Sequence, residues 1–387
     1  MQKFETVHPS FREFLTTWDC CRDCYLGEFQ IKSKDKRYLP KPEQQDIADY
    51  NQYLNRAVFH GYLQTIVHGR VGQVMRRPPQ YDFDDNFSGW QRSVTSRDQS
   101  LSEVIKTGLE EVVKGGRVGF LLDRPEDGGD LNLVIYKAED IRNWDEEGGR
   151  LTELIVSEPY IEEEIDGDSY LGKQYKVQYR VLSIEEGYYT VKIYRKDEND
   201  YRLWSEQIPT AFGDPLDFIP FVCINTSDAS MDVSKPSLLD LALMNIAHYR
   251  NSADREQLLH CLAIPTPIAR GIKDDEVPTS LGPRELWTFS DPSASVQLLE
   301  FSGAGDNSLR GAMEEKVEAM ASLGGKLVQG TRSSVETAET ARIRSASENS
   351  TLETIVTSVE KGFTRILEYT ALWNNWGIDP TLELNRD

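Results

Sequence analysis

An α+β fold is what this sequence predicts, with helical segments at both ends of the chain and a run of antiparallel strands between them. Three observations carry the prediction. Apolar residues recur every three or four positions before residue 115, alternate in short aromatic and β-branched runs from Arg117 to Asn225, and then return to the helical spacing. Brief turns carrying Gly or Asp separate the short runs, as in Asp127-Gly-Gly-Asp130 and Asp166-Gly-Asp168. The last long segment, 336 to about 373, keeps the helical spacing and would span roughly 57 Å at 1.5 Å per residue.

Residues 1–115 read as mostly helical. Ile47, Tyr50, Leu54, Val58, Tyr62, Ile66 and Val67 place one long helix over Asp46–Met75, stopped by the prolines of Arg76-Arg77-Pro78-Pro79. A second helix, Leu101–Lys114, ends at Gly115-Gly116, which suits a C-cap. Strand runs follow at 118–122, 131–136, 151–156, 175–181, 188–194 and 201–204, in one antiparallel meander. Residues 139–168 hold 12 Asp/Glu against 2 Arg. Two readings fit that stretch: a sheet edge kept soluble by charge, or an anionic surface facing a lumen or partner.

After Phe221–Asn225 the chain returns to helix. Pro236 suits the first helical position, and Leu238, Ala242, Ile246, Tyr249 and Ala253 form a stripe toward Leu262, closed by Pro265 and Pro267. Residues 264–302 predict a small β-containing insertion, with β-like runs at Glu285–Phe289 and Val296–Phe301. Asp306 is placed as the cap of the next helix, whose stripe is Leu309, Met313, Val317, Met320 and Leu323. Gly324-Gly325-Lys326 and a polar loop follow, and Ser333 to Glu336 has the capping-box spacing that opens the last helix. The first half of that helix is small and polar, with Ile343 its one large apolar residue up to Thr351. This composition suits close packing against identical neighbours or the lining of a wide channel. From Leu352 on, Ile355, Val359, Phe363, Ile366 and Trp373 make an ordinary core face.

With 387 residues, 43 Lys+Arg and 64 Asp+Glu, the chain carries a net charge of −21 and more length than one core usually takes. That balance disfavours a protein that reads bases or lies on an anionic membrane, although DNA can still slide past such a surface. The longest apolar run, Phe218–Ile224, falls far short of a membrane span, and Met1–His8 has no apolar leader core. Five cysteines, an odd number, suit a reducing compartment. A soluble intracellular chain is therefore expected.

The sequence shows no chemistry-bearing motif. A phosphate loop ending in Gly324-Gly325-Lys326 needs Gly at 320 and Ser or Thr at 327, where Met320 and Leu327 stand. Gly303-Ala-Gly305 lacks the third glycine of a dinucleotide turn, Ser308 holding its place. Cys20, Cys21 and Cys24 with His8 lack the paired spacing of a structural zinc site, so no metal is expected there. His248 and His260 read as residues on helix faces. No catalytic residue, metal or cofactor is expected.

The order of elements carries a resemblance. Gly69-Arg-Val-Gly-Gln-Val-Met-Arg-Arg-Pro-Pro79, Gly116-Arg-Val-Gly-Phe-Leu-Leu-Asp-Arg-Pro125, Leu241-Ala-Leu-Met-Asn-Ile-Ala-His-Tyr-Arg250 with Ala253-Asp254, and Glu336-Thr-Ala-Glu-Thr-Ala-Arg-Ile-Arg-Ser-Ala-Ser-Glu-Asn-Ser350 occur in one order. In that order the chain resembles the portal, or head–tail connector, proteins of tailed double-stranded-DNA bacteriophages. The resemblance implies a helical and β-meander wing (1–235, helical over 1–115 and meander over 117–225) and stem helices at 236–262 and 306–326. It also implies a small clip at 263–305, a tunnel loop at 327–335, and a long wing helix with tail at 336–387. Such portals continue into a crown, which is expected to be short or absent here.

Function also follows from the resemblance. Portals form rings, usually of twelve subunits, at one capsid vertex of the virion, after assembly in the host cytoplasm. They hydrolyse nothing, touch no membrane, and let double-stranded DNA pass without reading its sequence. Their partners are the large terminase, the major capsid or scaffolding protein, and a head-completion adaptor. In the tunnel loop Lys326 and Arg332 become the candidate cations facing DNA, with Gln329, Ser333 and Ser334 as neutral phosphate partners. In the clip, Lys273, Asp274, Asp275, Glu276, Arg284 and Trp287 become candidates for motor docking, packing inside the insert being the plainer reading of Trp287. Arg342 and Arg344 would join Glu336 and Glu339 of a neighbouring subunit. Two rivals stand beside this reading: a metal-dependent nuclease using the 139–168 carboxylates, and a monomeric scaffold.

Overall fold

A computed structural model describes residues 5–83, 85–125, 129–163, 173–197, 200–263, 266–273, 277, 287–299, 304–324, 338–376 and 380–386. Its helices are α1 (Pro9–Leu26), α2 (Glu28–Ser33), α3 (Ile47–Arg56), α4 (Tyr62–Val74), α5 (Phe87–Trp90), α6 (Leu101–Gly115), α7 (Leu239–Ala263), α8 (Ala304–Gly324) and α9 (Ala338–Asn374). The strands up to the acidic region are β1 (Gln80–Asp82), β2 (Arg117–Asp123), β3 (Asn132–Lys137), β4 (Ile141–Glu147), β5 (Arg150–Glu163) and β6 (Lys173–Glu185). Then come β7 (Tyr188–Asp197), β8 (Asp200–Gln207), β9 (Thr210–Ala211), β10 (Asp214–Pro215), β11 (Phe221–Asn225), β12 (Thr266–Arg270), β13 (Ser295–Leu299) and β14 (Thr381–Glu383). The mixed helix and sheet content agrees with the α+β prediction. The chain divides into two compact units, one of Met1–Gly27, Gly61–Leu243 and Met320–Asp387, the other of Glu28–His60 and Met244–Ala319.

In the first unit, β11, β2 and β3 form an antiparallel sheet whose β2 and β11 are buried almost end to end. Their runs read as unbroken apolar because both faces are covered. On one face Phe120 meets Phe363 of α9, with ring centroids 4.8 Å apart. On the other, Gly119 lies against Phe221 and against Ile141 of β4. Ser100 opens α6 with a complete capping box to Glu103, and Gly116, at φ 82°, closes it in the left-handed conformation that favours glycine.

The meander is real but shorter than predicted. Five strands, β4 to β8, pair in sequential order, while β2 and β3 leave them to join β11. The register Phe221↔Leu121 to Asn225↔Arg117 captures those first two strands across a hundred residues, which no local spacing reveals. Strand β4 was hidden by its acidic end, Asp145, Glu146 and Glu147.

Two arrangements of buried charge hold this unit. Arg22 of α1 bridges Glu111 of α6 (3.0 Å) and Glu139 (2.5 Å), and Lys114 pairs with Glu111 at 2.9 Å. The side chain of Arg117 is fully buried, its guanidinium 4.9 Å from the Trp18 ring and 4.7 Å from Trp144. It donates to the carbonyls of Ala138 and Ile141 at 3.2 and 3.0 Å. At the other end of the chain β14 pairs with β1, and Glu360 of α9 accepts from the Leu384 amide at 2.8 Å and pairs with Arg386.

The second unit contains α2, α3, the hairpin β12–β13 and most of α7 and α8. The helix predicted over Asp46–Met75 is two helices, α3 and α4. Residues 57–60 are drawn onto α7 instead: the Val58 amide donates to Ser252 Oγ (3.3 Å), Asn245 Nδ2 donates to the His60 carbonyl (3.0 Å), and Phe59 meets Tyr249 edge-on. These bonds satisfy backbone groups that a continuous helix would have used internally. The stripe predicted for α7 is buried as read: Leu238, Ala242, Ile246, Tyr249 and Ala253. Asp306 lies inside the first turn of α8, two residues past its start, where it pairs with Arg255 at 2.7 Å rather than capping. In the insertion, β12 pairs with β13, Pro267 opposite Leu298. Of the run predicted as its first strand, Trp287–Phe289 is not a strand, and 285–286 lie outside the described residues.

The stripe predicted for α9 from Leu352 to Trp373 is buried throughout. Gly362 lets this helix close on β11, since a Cβ there would overlap Ile224. Gly362→Ala is therefore expected to destabilise by about 1–3 kcal/mol through overpacking, despite a helix-propensity gain of about 1 kcal/mol. A urea titration checks this through a lower midpoint at unchanged slope.

Candidate functional site

The resemblance directs attention to the segment from α7 to α9, where two helices enclose the β12–β13 hairpin and a third follows. Helix α8 ends at Gly324, where a Cβ would overlap Ile66 of α4, so the start of the loop is fixed by a packing contact that only glycine permits. The predicted loop residues Lys326, Gln329, Arg332, Ser333 and Ser334 lie outside the described residues, as does Glu336. Positions 339, 342 and 344, predicted as Glu339, Arg342 and Arg344 of a subunit contact, have helical backbone in the first half of α9.

In the hairpin, Asp274, Asp275, Glu276 and Arg284 lie outside the described residues. Lys273 does not: its Nζ donates to Ser290 Oγ at 3.3 Å, tying the end of β12 to the approach of β13. The Asp291 carboxylate accepts from the amide and hydroxyl of Ser293, both at 2.7 Å, which holds it below the usual carboxylate range. Trp287 is half-buried beside this turn in sequence. The structure thus brings Lys273 to Ser290 and leaves the other clip candidates unplaced.

The acidic stretch does not converge on one point. Glu139 pairs with Arg22, Glu158 with Arg180 at 2.9 Å, and Glu162 with Lys176. Asp145, Glu146 and Glu147 lie at the β4–β5 turn. Burial and the neighbouring Glu139 push Asp140 up to about 6. Among the described residues no three His, Cys, Asp or Glu are grouped to hold a metal ion. Cys20, Cys21 and Cys24 are buried, and burial pushes the Cys21 thiol up. His8 stacks on Trp144 at 3.9 Å. Among the described residues no helix is long and apolar enough to cross a membrane.

Two features escaped sequence reading. One is a cavity of about 570 Å³ between the β4–β5 turn, β11 and α9. Its floor includes Phe218, Ile219, Phe221 and Met231, and Glu146, Arg150, Arg365 and Tyr369 also line it. These residues are distant in sequence, so no spacing announces them. The other is His248 on α7, 3 % exposed, its ring centroid 5.4 Å from that of His60. Burial first, then His60 and Lys316, push its imidazole down to about 4.

The family described as a domain of unknown function, DUF4055, matches residues 237–374, the span from α7 to the end of α9. Comparison with curated protein sequences yields no match. Among solved structures, the chain is similar to a component of the neck of an empty gene transfer agent particle computed with C6 symmetry, at 12 % identity and TM-score 0.45. That likeness covers 85 % of this chain and 81 % of the other. A chain from the virion of a native gene transfer agent particle aligns at 12 % identity and TM-score 0.43, over 92 % of this chain and 89 % of the other. An HK97-family phage portal protein from Corynebacterium diphtheriae aligns at 12 % identity and TM-score 0.34, over 85 % and 96 %.

The unfolded chain protonates His248 near 6.5, whereas the folded chain resists until about 4. Its contribution is therefore complete above about pH 6.5 and is lost as the pH falls toward 4. Between pH 7 and 5 this amounts to about 1–2 kcal/mol. Asp140, with its raised value, acts in the opposite direction. The informative quantity is the difference between the unaltered chain and His248→Gln, which urea titrations at both pH values are expected to show shrinking in the acid.

Proposed function

We propose that this chain is a portal subunit, assembling as a ring, probably not fewer than twelve copies being needed to pass a duplex, at one vertex of a phage-like capsid. The observation that carries the reading is the order of elements: a mostly helical beginning, a β-meander, helix α7, the hairpin β12–β13, helix α8, a loop, and the 37-residue α9. That is the order the four sequence stretches imply. On this reading α7 and α8 are the stem, the hairpin region is the clip, 327–335 is the tunnel loop, and α9 is the long wing helix.

The electrostatics support a conduit. A ring repeats each residue around its axis, so twelve copies carry a charge of about −250, which keeps the phosphate backbone from binding tightly and braking. A few cations near the axis, Lys326 and Arg332 among them, centre the duplex through phosphate contacts that read no bases. The clip is the docking place of the large terminase during packaging and of the head-completion adaptor afterwards. The chain itself hydrolyses nothing, a role in keeping with the lack of any catalytic motif. It resides in the virion, built on capsid or scaffolding protein.

Sedimentation and negative-stain imaging of the purified chain test the reading. Rings with a central hole near about 530 kDa are expected, twelve times the subunit mass of 44.1 kDa. Monomers at every concentration and salt would sink it. Arg332→Glu is expected to leave the rings intact and lower the DNA packaged per capsid; unchanged packaging removes Arg332 from the DNA-facing set.

A further inference from the structure

The two longest strands of the meander are β5 and β6, of 14 and 13 residues. Their ladder runs from Glu153↔Ser183 to Glu163↔Lys173, whereas β4 pairs with β5 only as far as Val156, and β7 with β6 only as far as Tyr179. The pairs from Glu158↔Gln178 onward therefore project as a two-stranded ribbon. Such a ribbon is marginally stable on its own. One face is covered: the Arg195 guanidinium lies 4.4 Å from the Tyr160 ring, and Glu162 pairs with Lys176. The other face presents Ile161, Tyr175 and Val177, exposed by 49, 77 and 52 %. Ile161 and Tyr175 are direct cross-strand neighbours, so this is one apolar patch.

At the opposite end of β5, where Arg150 begins the strand, lies the cavity of about 570 Å³ with its apolar floor. That volume suits several side chains. Its Arg365 also lines an open depression along α9 of about 760 Å³ that includes Lys361 and Arg386, with Glu360 and Glu368 beside them. Arg386 pairs with Glu360, while Arg365 rests on the Tyr369 ring. The ribbon has the complementary charge: residues 159–177 carry five carboxylates against two lysines.

Patch and cavity are separated by most of β5, about 35–40 Å at 3.3 Å per residue, so no copy can fill its own cavity. We propose that the ribbon of one copy seats Tyr175 in this cavity of a second copy, with the ribbon's acidic flank along Lys361 and Arg365. Two different patches then meet, a heterologous contact that repeats from copy to copy and closes into a ring when the rotation allows. The inference rests on the ring reading above and names the surfaces that would build it.

Cross-linking tests it. Tyr175→Cys and Arg150→Cys are made in separate chains, each also carrying Cys261→Ser because Cys261 is the exposed native thiol among the described residues. Treated with a short bismaleimide, a mixture of the two chains is expected to give covalent dimers that neither gives alone. Tyr175→Ser and the pair Lys361→Glu/Arg365→Glu are each expected to raise the protein concentration for half-assembly about tenfold or more. All of these positions are on the surface, and unchanged circular dichroism verifies that the variants fold. Rings that form without the 150–175 cross-link, and that assemble equally well with Tyr175→Ser, overturn this contact and leave the ring reading standing. An unaltered chain that stays monomeric overturns both.

Discussion

The ladder between β11 and β2 is the constraint on which the rest of the first unit depends. It joins residues 221–225 to 117–121 and so closes a loop that contains the entire five-stranded sheet. Closing a loop of that length has an entropic cost that grows only slowly with its size, and the buried area must offset it. The offset is visible: β11 is buried at every position, and β2 at all but its last residue. Once the ladder forms, α6 and α9 cover one face through Phe120 and Phe363, and Ile141 of β4 covers the other at Gly119.

Charge is used sparingly inside this frame and generously outside it. Arg22 and Lys114 share Glu111, so the contact between α1 and α6 contains carboxylates and cations in matched supply. Glu360 does similar work at the far end, holding the returning tail through the Leu384 amide and Arg386. Breaking one partner of such an arrangement leaves the other charged and desolvated, which costs more than the pair contributes. The surplus acid of the sequence lies instead at the β4–β5 turn and along the projecting ribbon, where water solvates it.

What was legible in the sequence follows the range of the interaction. The α9 face from Leu352 to Trp373 and the α7 stripe from Leu238 to Ala253 were readable because helical spacing is local and both are buried as expected. The stop of α6 was readable because a glycine pair at a helix end has one plain conformational meaning. The division of the strands into two sheets was not, since it is decided by a partner a hundred residues away. The break after Arg56 was missed for the same reason: Ser252 and Asn245 of α7 bind the chain there. Of the candidate site, Lys273 lies in a described contact with Ser290, whereas the loop cations fall outside the described residues. The cavity beside α9 joins residues from four segments and had no linear signal.

Arg117 has a different consequence. Its charge is met by two indole faces and two main-chain carbonyls, with no carboxylate in the immediate cage. Acid that neutralises Glu111, Glu139 and Glu360 would weaken their ion pairs but has nothing to titrate between Trp18 and Trp144. As an acid-stressed chain loosens, this cage should be among the last parts of the first unit to let go, so the indole fluorescence of that pair would report a residual nucleus after the carboxylate-held contacts have opened.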